Sequence, residues 1–250
     1  MGELHFDFPA DGVVRVTLDN VAKRNALDVS ILEGLARELP QVDARCVIVT
    51  GAGDAFSAGY DLGGLTPEGL ADVLIHPFEA AMAALDAVPV PIVAALGGHA
   101  FGGGLELAVA CDLRVCAPGA RLGMPPARLG VVYSHTGLRR FVDAIGSART
   151  RELFLTARPV SADEALAWGL VNEVVDDVDA RSVELASEIA ALSSVSVRGN
   201  KRVLQALIPP LDPVLVEELD ALRRDAFTSA EFAEGVRSFV EKRPPRWPGR

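Results

Sequence analysis

An apolar run that enters a glycine cluster and leaves it as a helix constrains the fold more than any other feature of this sequence. Residues 90–96 suit a buried strand, and residues 97–104 contain five glycines. Glycine lets a backbone N–H approach a ligand closely, and the free amides and positive dipole at a helix start favour negative charge. The N–H of Gly103 is therefore a candidate donor to an oxyanion, and Glu106, one turn later, is a candidate acid or base beside it.

Composition and charge limit the class of protein. The chain has 250 residues, 50% of them hydrophobic, which suffices for one large domain or for one domain with a small appendage. It has no apolar run of membrane-spanning length and no basic-then-apolar leader, so we expect a cytoplasmic protein without membrane contact. A net charge of -10 disfavours nucleic acid as a partner. Cys46, Cys111 and Cys116 lack paired spacing and are expected to be buried thiols, so neither a disulfide nor a metal site is expected.

Short apolar runs alternate with helical patterns along the chain, which predicts an α/β fold with crossover connections. Residues 4–18 predict a β-hairpin, Asp28 predicts a helix cap, and Ser161 with Glu164 predicts a capping box. Further strands are predicted at 45–50, 112–116 and 171–175, and a helix at 67–87, whereas 122–133 is expected to be irregular. From residue 177 onward the pattern is helical, with its main break at Pro209, Pro210 and Pro213.

A second glycine-rich segment, residues 51–62, follows the predicted strand at 45–50. It has small residues and no helical period, which is typical of a loop that faces a ligand. The N–H of Ala58 is therefore a candidate for a second oxyanion donor.

The two glycine-rich blocks, residues 51–62 and 98–112, resemble the signature blocks of the enoyl-CoA hydratase/isomerase, or crotonase, superfamily. Residues 154–171 and 234–247 also match the order of that family, so the resemblance covers almost the whole chain. It implies a spiral of ββα units over residues 1–193 and a C-terminal helical oligomerisation region over residues 194–250, which forms homotrimers or dimers of trimers. It also implies an acyl-CoA thioester substrate, in which coenzyme A is part of the substrate and no separate cofactor acts.

The resemblance implies roles for individual residues. By position, Ala58 and Gly103 carry the two backbone donors that stabilise a thioester enolate. Hydratases of the family use two glutamates, one where Glu106 stands and one where this chain has Pro126. Proline carries no proton, so in hydration or double-bond migration Glu106 would have to act alone.

Methylmalonyl-CoA decarboxylase-like members of the family also have proline at this place, followed by a Leu-Gly-Val-x-Tyr stretch that residues 129–133 match. The resemblance therefore implies loss of CO2 from a malonyl-type thioester, with Tyr133 orienting the carboxylate or supplying a proton. That branch has a histidine where this chain has Tyr60, which either donates a hydrogen bond in its place or indicates another substrate. Two alternatives stay open, a hydratase that acts through Glu106 alone and a non-catalytic acyl-CoA binder.

The remaining candidates concern coenzyme A. Lys23 and Arg24 lie in a segment similar to the family's CoA-contacting loop, where a cation would meet phosphates. Phe239 and Lys242 match a place that reaches CoA across a subunit boundary in relatives. His99 and His135 are more often structural or solvated in such positions. The residues expected to contact substrate are Lys23, Arg24, Ala26, Ala58, Tyr60, Asp61, Leu62, Gly102, Pro126, Phe239 and Lys242.

Overall fold

The computed structural model describes residues 1–61, 76–207 and 211–248 of the chain. The strands are β1 (Glu3–Ala10), β2 (Val13–Asp19), β3 (Cys46–Gly51), β4 (Ala55–Ser57), β5 (Ile92–Leu96), β6 (His99–Phe101), β7 (Leu113–Cys116), β8 (Arg121–Gly123), β9 (Val160–Ser161) and β10 (Glu173–Val174). The helices are α1 (Val29–Glu38), α2 (His76–Ala87), α3 (Gly103–Ala110), α4 (Pro126–Leu129), α5 (His135–Thr156), α6 (Ala162–Trp168), α7 (Val178–Ala191), α8 (Ser194–Ala206), α9 (Pro213–Phe227) and α10 (Ala230–Val240).

The strands form two sheets that the chain visits in turn. The larger sheet has the order β1-β2-β3-β5-β7-β10 and is parallel from β2 onward, and the smaller has the order β4-β6-β8-β9. Each pass gives one strand to each sheet, as β3 and β4, then β5 and β6, then β7 and β8, before a helix follows. The α/β class and the spiral of ββα units are thus confirmed.

The central strands of the larger sheet are apolar throughout because both of their faces are covered. Val47 and Val49 of β3 point into the main core, while Cys46 and Ile48 point to the opposite face, which α7 covers. Parallel sheets buried on both faces require such continuous apolar runs, and this explains the β-branched segment at 45–50. All three cysteines are buried free thiols, as expected.

The local signals predicted from sequence are confirmed where the structure describes them. β1 pairs antiparallel with β2 as the predicted hairpin. The Asp28 carboxylate accepts a hydrogen bond of 3.0 Å from the N–H of Ile31. Ser161 and Glu164 exchange the two hydrogen bonds of a capping box. None of the described helices is long and apolar enough to cross a membrane.

Three segments contain more regular structure than the sequence predicts. The predicted loop at 51–62 contains β4, and the glycine cluster contains β6, so the chain makes a second strand before α3 begins. Residues 122–133, expected to be irregular, contain part of β8 and the short helix α4. These elements have three or four residues each, too few for a periodic pattern, and pairing with neighbouring strands stabilises β4, β6 and β8.

The C-terminal helices pack back onto their own chain. Lys201 of α8 donates hydrogen bonds to the Val90 carbonyl at 2.9 Å and to the Asp112 carboxylate at 2.6 Å. α10 lies directly against α4, since a Cβ on Gly235 would stand 2.4 Å from the Leu129 carbonyl oxygen. α8, the first of these helices, begins at Ser194 after its cap Ser193.

Candidate active site

A cavity lies where the two glycine-rich blocks, the segment around α4 and the C-terminal helices meet. We call it the central cavity. Most of its wall is apolar, and its ionisable side chains are Glu106, Tyr60, Tyr133 and Arg223. It is lined by Ala58, Gly59, Tyr60, Gly102, Gly103, Glu106, Pro125, Pro126, Leu129, Val131, Val132, Tyr133, Ser134, Arg223, Phe227, Phe232 and Phe239.

Of the cavity-lining residues in the two glycine-rich blocks, two have a backbone amide with no hydrogen-bond acceptor among the described residues. One is the N–H of Gly103, the first residue of α3, which a helix leaves unpaired. The other is the N–H of Tyr60. Its neighbours form the bridge to Leu27, in which Leu27 donates to the Gly59 carbonyl at 2.7 Å and Asp61 donates to the Leu27 carbonyl at 3.2 Å. The Tyr60 peptide N–H takes no part in that bridge.

The prediction that Ala58 supplies the second donor is wrong for this structure. The N–H of Ala58 donates to the Arg24 carbonyl at 2.9 Å and is therefore already used. Arg24 has a left-handed backbone conformation, with φ of 53°, as part of the turn that presents this carbonyl. Tyr60, two residues later, replaces Ala58 as the candidate donor.

Close packing holds the two free amides together. A Cβ on Gly59 would lie 3.2 Å from the Gly103 nitrogen, so the Ala58–Tyr60 loop touches the start of α3. Gly59 has φ of 88° and Gly102 has φ of 53°, conformations that glycine adopts without strain. The buried Ser57 hydroxyl fixes the loop by donating to the Asn25 carbonyl at 2.8 Å and accepting from the Gly59 N–H at 3.2 Å. The amides are therefore preorganised before any ligand arrives.

Glu106 supplies the one carboxyl group among the described residues that line the central cavity. Its residue is 2% exposed, and no described group donates a hydrogen bond to its carboxylate. Burial raises the pKa of Glu106 to about 7, although the nearby Arg140 and Arg223 act in the opposite direction. A Cβ on Gly137 would lie 2.4 Å from Glu106 Oε1, so the carboxyl group rests against the first turn of α5. Such a carboxyl group exchanges protons near neutral pH, as a general acid or base requires.

Pro126 and Tyr133 occupy the wall beside these groups. Pro126 is the buried first residue of α4 and lines the cavity, where it supplies no proton-transfer group. The Tyr133 ring packs edge to face on Phe154, with centroids 5.4 Å apart, and its hydroxyl would lie 3.7 Å from a Cβ on Gly102. This hydroxyl is thus next to the turn that presents the Gly103 amide. Burial raises the pKa of Tyr133 well above its usual value, so the hydroxyl keeps its proton and acts as a donor.

The C-terminal helices close the cavity from the same chain. Phe227 and Arg223 of α9 and Phe232 and Phe239 of α10 all line it. Phe239 was expected from sequence, but it reaches this cavity within its own chain. Arg223 was not expected, because its surroundings in α9 are rich in charge and resemble a solvent-exposed face. Phe227 and Phe232 pack together with their ring centroids 5.1 Å apart. Apart from their aromatic character, nothing in the sequence pattern predicts their place at the cavity.

Of the residues expected to contact coenzyme A, Phe239 lines the central cavity, whereas Lys23, Arg24 and Lys242 do not. Lys23 is exposed and donates to the Asp61 carboxylate at 2.5 Å, so these two predicted residues do come together. Ala26 is buried, and its carbonyl accepts a hydrogen bond of 3.0 Å from Asn20. Leu62 lies outside the described residues. Lys242 is exposed and does not line the cavity.

The two histidines considered from sequence do not line the cavity either. His135 faces Asp220 at 3.3 Å, and His99 accepts a hydrogen bond of 3.0 Å from the Arg121 N–H. No cluster of three metal-ligating side chains occurs within the described ranges.

A family model and several known proteins are similar to this chain over almost its whole length. Residues 9–250 match the family model of enoyl-CoA hydratase/isomerase. A probable enoyl-CoA hydratase of Mycobacterium leprae is 34% identical over 96% of this chain and 97% of its own. Among solved structures, a methylmalonyl-CoA decarboxylase complexed with 2S-carboxypropyl CoA has a TM-score of 0.89 at 26% identity, over 99% of this chain and 98% of its own. An enoyl-CoA hydratase from Bacillus anthracis has a TM-score of 0.78 at 31% identity, over 99% of both chains.

Proposed function

The chain belongs to the enoyl-CoA hydratase/isomerase family of acyl-CoA enzymes, and from that premise we propose that it decarboxylates a malonyl-type CoA thioester. The observation that carries this proposal is the composition of the central cavity. Two unpaired amides stand beside one carboxyl group, Glu106, while Pro126 occupies the place where a second acid/base group is expected in a hydratase. A methylmalonyl-CoA decarboxylase among the structural relatives supports the same reaction.

The proposed reaction begins with the thioester oxygen accepting hydrogen bonds from the N–H groups of Tyr60 and Gly103. The bond between the α-carbon and the carboxylate breaks, CO2 leaves, and its electron pair forms the enolate, whose oxygen the two amides stabilise. A preorganised donor of this kind contributes roughly 3–4 kcal/mol to the transition state.

Glu106 then supplies the proton that the α-carbon requires. With a pKa of about 7, Glu106 is about half protonated at neutral pH. A substrate carboxylate nearby favours the protonated form further, because two buried negative charges repel each other. Tyr133, whose hydroxyl stands beside Gly102, is suited to orient the departing carboxylate.

A second candidate is hydration of an enoyl thioester through Glu106 alone. It is favoured by the pKa of about 7 at Glu106, which lets one carboxyl group act in turn as base and acid. Curated relatives named probable enoyl-CoA hydratase support it as well. A non-catalytic acyl-CoA binder would use the same amides without turnover.

One experiment separates the three. The purified full chain and its Glu106→Gln variant are incubated with malonyl-CoA, methylmalonyl-CoA and crotonyl-CoA, while CO2 release and loss of the enoyl thioester absorbance are followed. We expect CO2 from a malonyl-type thioester. Crotonyl-CoA hydration abolished by Glu106→Gln, with no CO2 from either malonyl-type substrate, would replace the proposal by the hydratase. Calorimetric binding of all three without turnover would replace it by the binder.

We also propose that residues 194–250 mediate self-association into trimers or dimers of trimers. Apolar side chains of α8 and α9 are exposed in the single chain, which favours burial against another copy. These are Val203 at 58%, Leu204 at 65%, Val214 at 78% and Leu222 at 55% exposure. Sedimentation equilibrium of the full chain tests this, and a monomer at all concentrations would contradict it.

A further inference from the structure

Among the described residues that line the central cavity, Arg223 is the one with a cationic side chain, and the proposed reaction leaves its charge unused. Its side chain is only 12% exposed, although a guanidinium stays charged at any physiological pH. A buried charge is expensive unless anionic groups or hydrogen-bond acceptors compensate it. The compensation present around Arg223 therefore indicates what a ligand has to supply.

That compensation is incomplete among the described residues. Arg223 Nη1 donates to the carboxylate of Glu79 on α2, whose side chain is 46% exposed and so shares its charge with solvent. Arg223 Nε is buried and has no acceptor in the described ranges. The guanidinium carbon lies 5.9 Å from the ring centroid of Phe227, another cavity residue. Arg223 can therefore donate further hydrogen bonds to a ligand from an otherwise largely apolar wall.

The position of Arg223 restricts which part of a CoA thioester it meets. The cations expected near the phosphates, Lys23 and Arg24, are on a different segment and do not line the central cavity. The cavity itself surrounds the unpaired Tyr60 and Gly103 amides, where the thioester carbonyl is proposed to bind. An anion that reaches Arg223 in this cavity therefore belongs to the acyl group.

We propose that Arg223 binds a carboxylate carried by the acyl group and makes the chain selective for dicarboxylic acyl-CoA thioesters over neutral ones. This inference rests on the proposed function, because it takes the central cavity as the acyl site. Arg223 is a specificity residue here. A charge-assisted bond to the carboxylate strengthens substrate binding, but it weakens as the negative charge moves to the thioester oxygen during CO2 loss. Loss of this bond is therefore expected to raise KM without lowering kcat.

The test uses two CoA thioethers that cannot turn over, 2-carboxypropyl-CoA and isobutyl-CoA, which differ only by carboxylate against methyl. Calorimetry gives their Kd values for the full chain, Arg223→Gln and Glu79→Gln. Since a hydrogen bond to a charged group contributes about 1.5–3 kcal/mol, we expect Arg223→Gln to weaken 2-carboxypropyl-CoA about 10- to 100-fold and leave isobutyl-CoA unchanged. Glu79→Gln, which removes the competing carboxylate, is expected to tighten 2-carboxypropyl-CoA alone.

Equal weakening of both thioethers by Arg223→Gln, or weakening of 2-carboxypropyl-CoA by Glu79→Gln, would overturn the inference and leave Arg223 as a link between α2 and α9. If Arg223→Gln does not fold, Glu79→Gln alone distinguishes the two explanations. Binding of the acyl carboxylate by Arg223 predicts that Glu79→Gln tightens 2-carboxypropyl-CoA, whereas a purely structural link between α2 and α9 predicts that it weakens this ligand. Neither measurement depends on turnover. A chain that selects the carboxylate but releases no CO2 would refute the proposed reaction and keep the inference.

Discussion

The Gly103 amide provides the most direct test of the candidate site, because proline removes its hydrogen without removing a helix hydrogen bond. Gly103 is the first residue of α3, a position whose N–H the helix does not use and where proline is tolerated. The preceding residue is Gly102, which accepts unusual backbone conformations. The Gly103→Pro substitution therefore deletes one proposed oxyanion donor at little cost to the helix.

The matched control is Gly103→Ala, which keeps the N–H and adds a Cβ. That Cβ meets Phe78 Cε2 at 3.3 Å and Tyr60 Cε2 at 3.4 Å, a tight contact that both variants share. The ratio between the variants thus reports on the amide more than on the packing. Loss of one such donor typically lowers kcat by about 100- to 1,000-fold, which is roughly 2.7–4 kcal/mol.

The assay is steady-state turnover of the thioester on which the wild-type chain is most active, with thermal unfolding and calorimetric binding of CoA recorded alongside. We expect kcat of Gly103→Pro to fall about 100-fold or more below that of Gly103→Ala, while both variants still unfold cooperatively and bind CoA. If a folded Gly103→Pro variant turned over as fast as Gly103→Ala, the amide would not stabilise the reaction, and the assignment of the donor pair would be refuted.

Three further predictions concern charge. Burial raises the pKa of Glu106 from 4.5 to about 7, so the folded state holds an extra proton between these pH values, and the free energy of unfolding falls by about 3 kcal/mol in total as the pH rises through that window. Urea unfolding at pH 4, 6 and 8 should show this loss for the wild-type chain and not for Glu106→Gln. Asp86 accepts two hydrogen bonds from Arg140, so Asp86→Asn leaves the Arg140 charge uncompensated and lowers the pKa of Glu106. The decline of kcat at high pH should then move to lower pH, and an unchanged pH profile would exclude Glu106 as the group that causes the decline. Lys23→Ala should raise KM for a CoA thioester and leave kcat and the KM of the corresponding pantetheine thioester unchanged, and an equal effect on both thioesters would contradict a phosphate contact.

The parts of the site that local structure determines could be predicted from the sequence. Gly103 and Glu106 follow from a helix start after glycines, since an unpaired first-turn amide and a side chain one turn later are consequences of helix geometry. Pro126 follows from its residue type alone. The order of strands and helices could be predicted equally well where apolar runs are long and buried, as in β3.

The parts of the fold and site that could not be predicted from the sequence depend on contacts between distant parts of the chain. Ala58 and Tyr60 lie in the same loop, and only the bridge to Leu27 and the hydrogen bond to the Arg24 carbonyl decide which amide is free. β4 and β6 are too short to show a period, and they exist because they pair with each other. Arg223 stands 117 positions after Glu106 in a charged helix, and tertiary packing alone brings it to the same cavity.

The closure of the central cavity by α9 and α10 has a consequence for the order in which the protein becomes competent during synthesis. Its floor comes from residues 58–134, whereas the residues that cover it leave the ribosome later: Arg223, Phe227, Phe232 and Phe239. A nascent chain that has completed both sheets still presents an open, apolar depression to the cell. Chaperones that recognise such surfaces would meet the chain at that stage, and packing of α9 and α10 over the cavity would end their access.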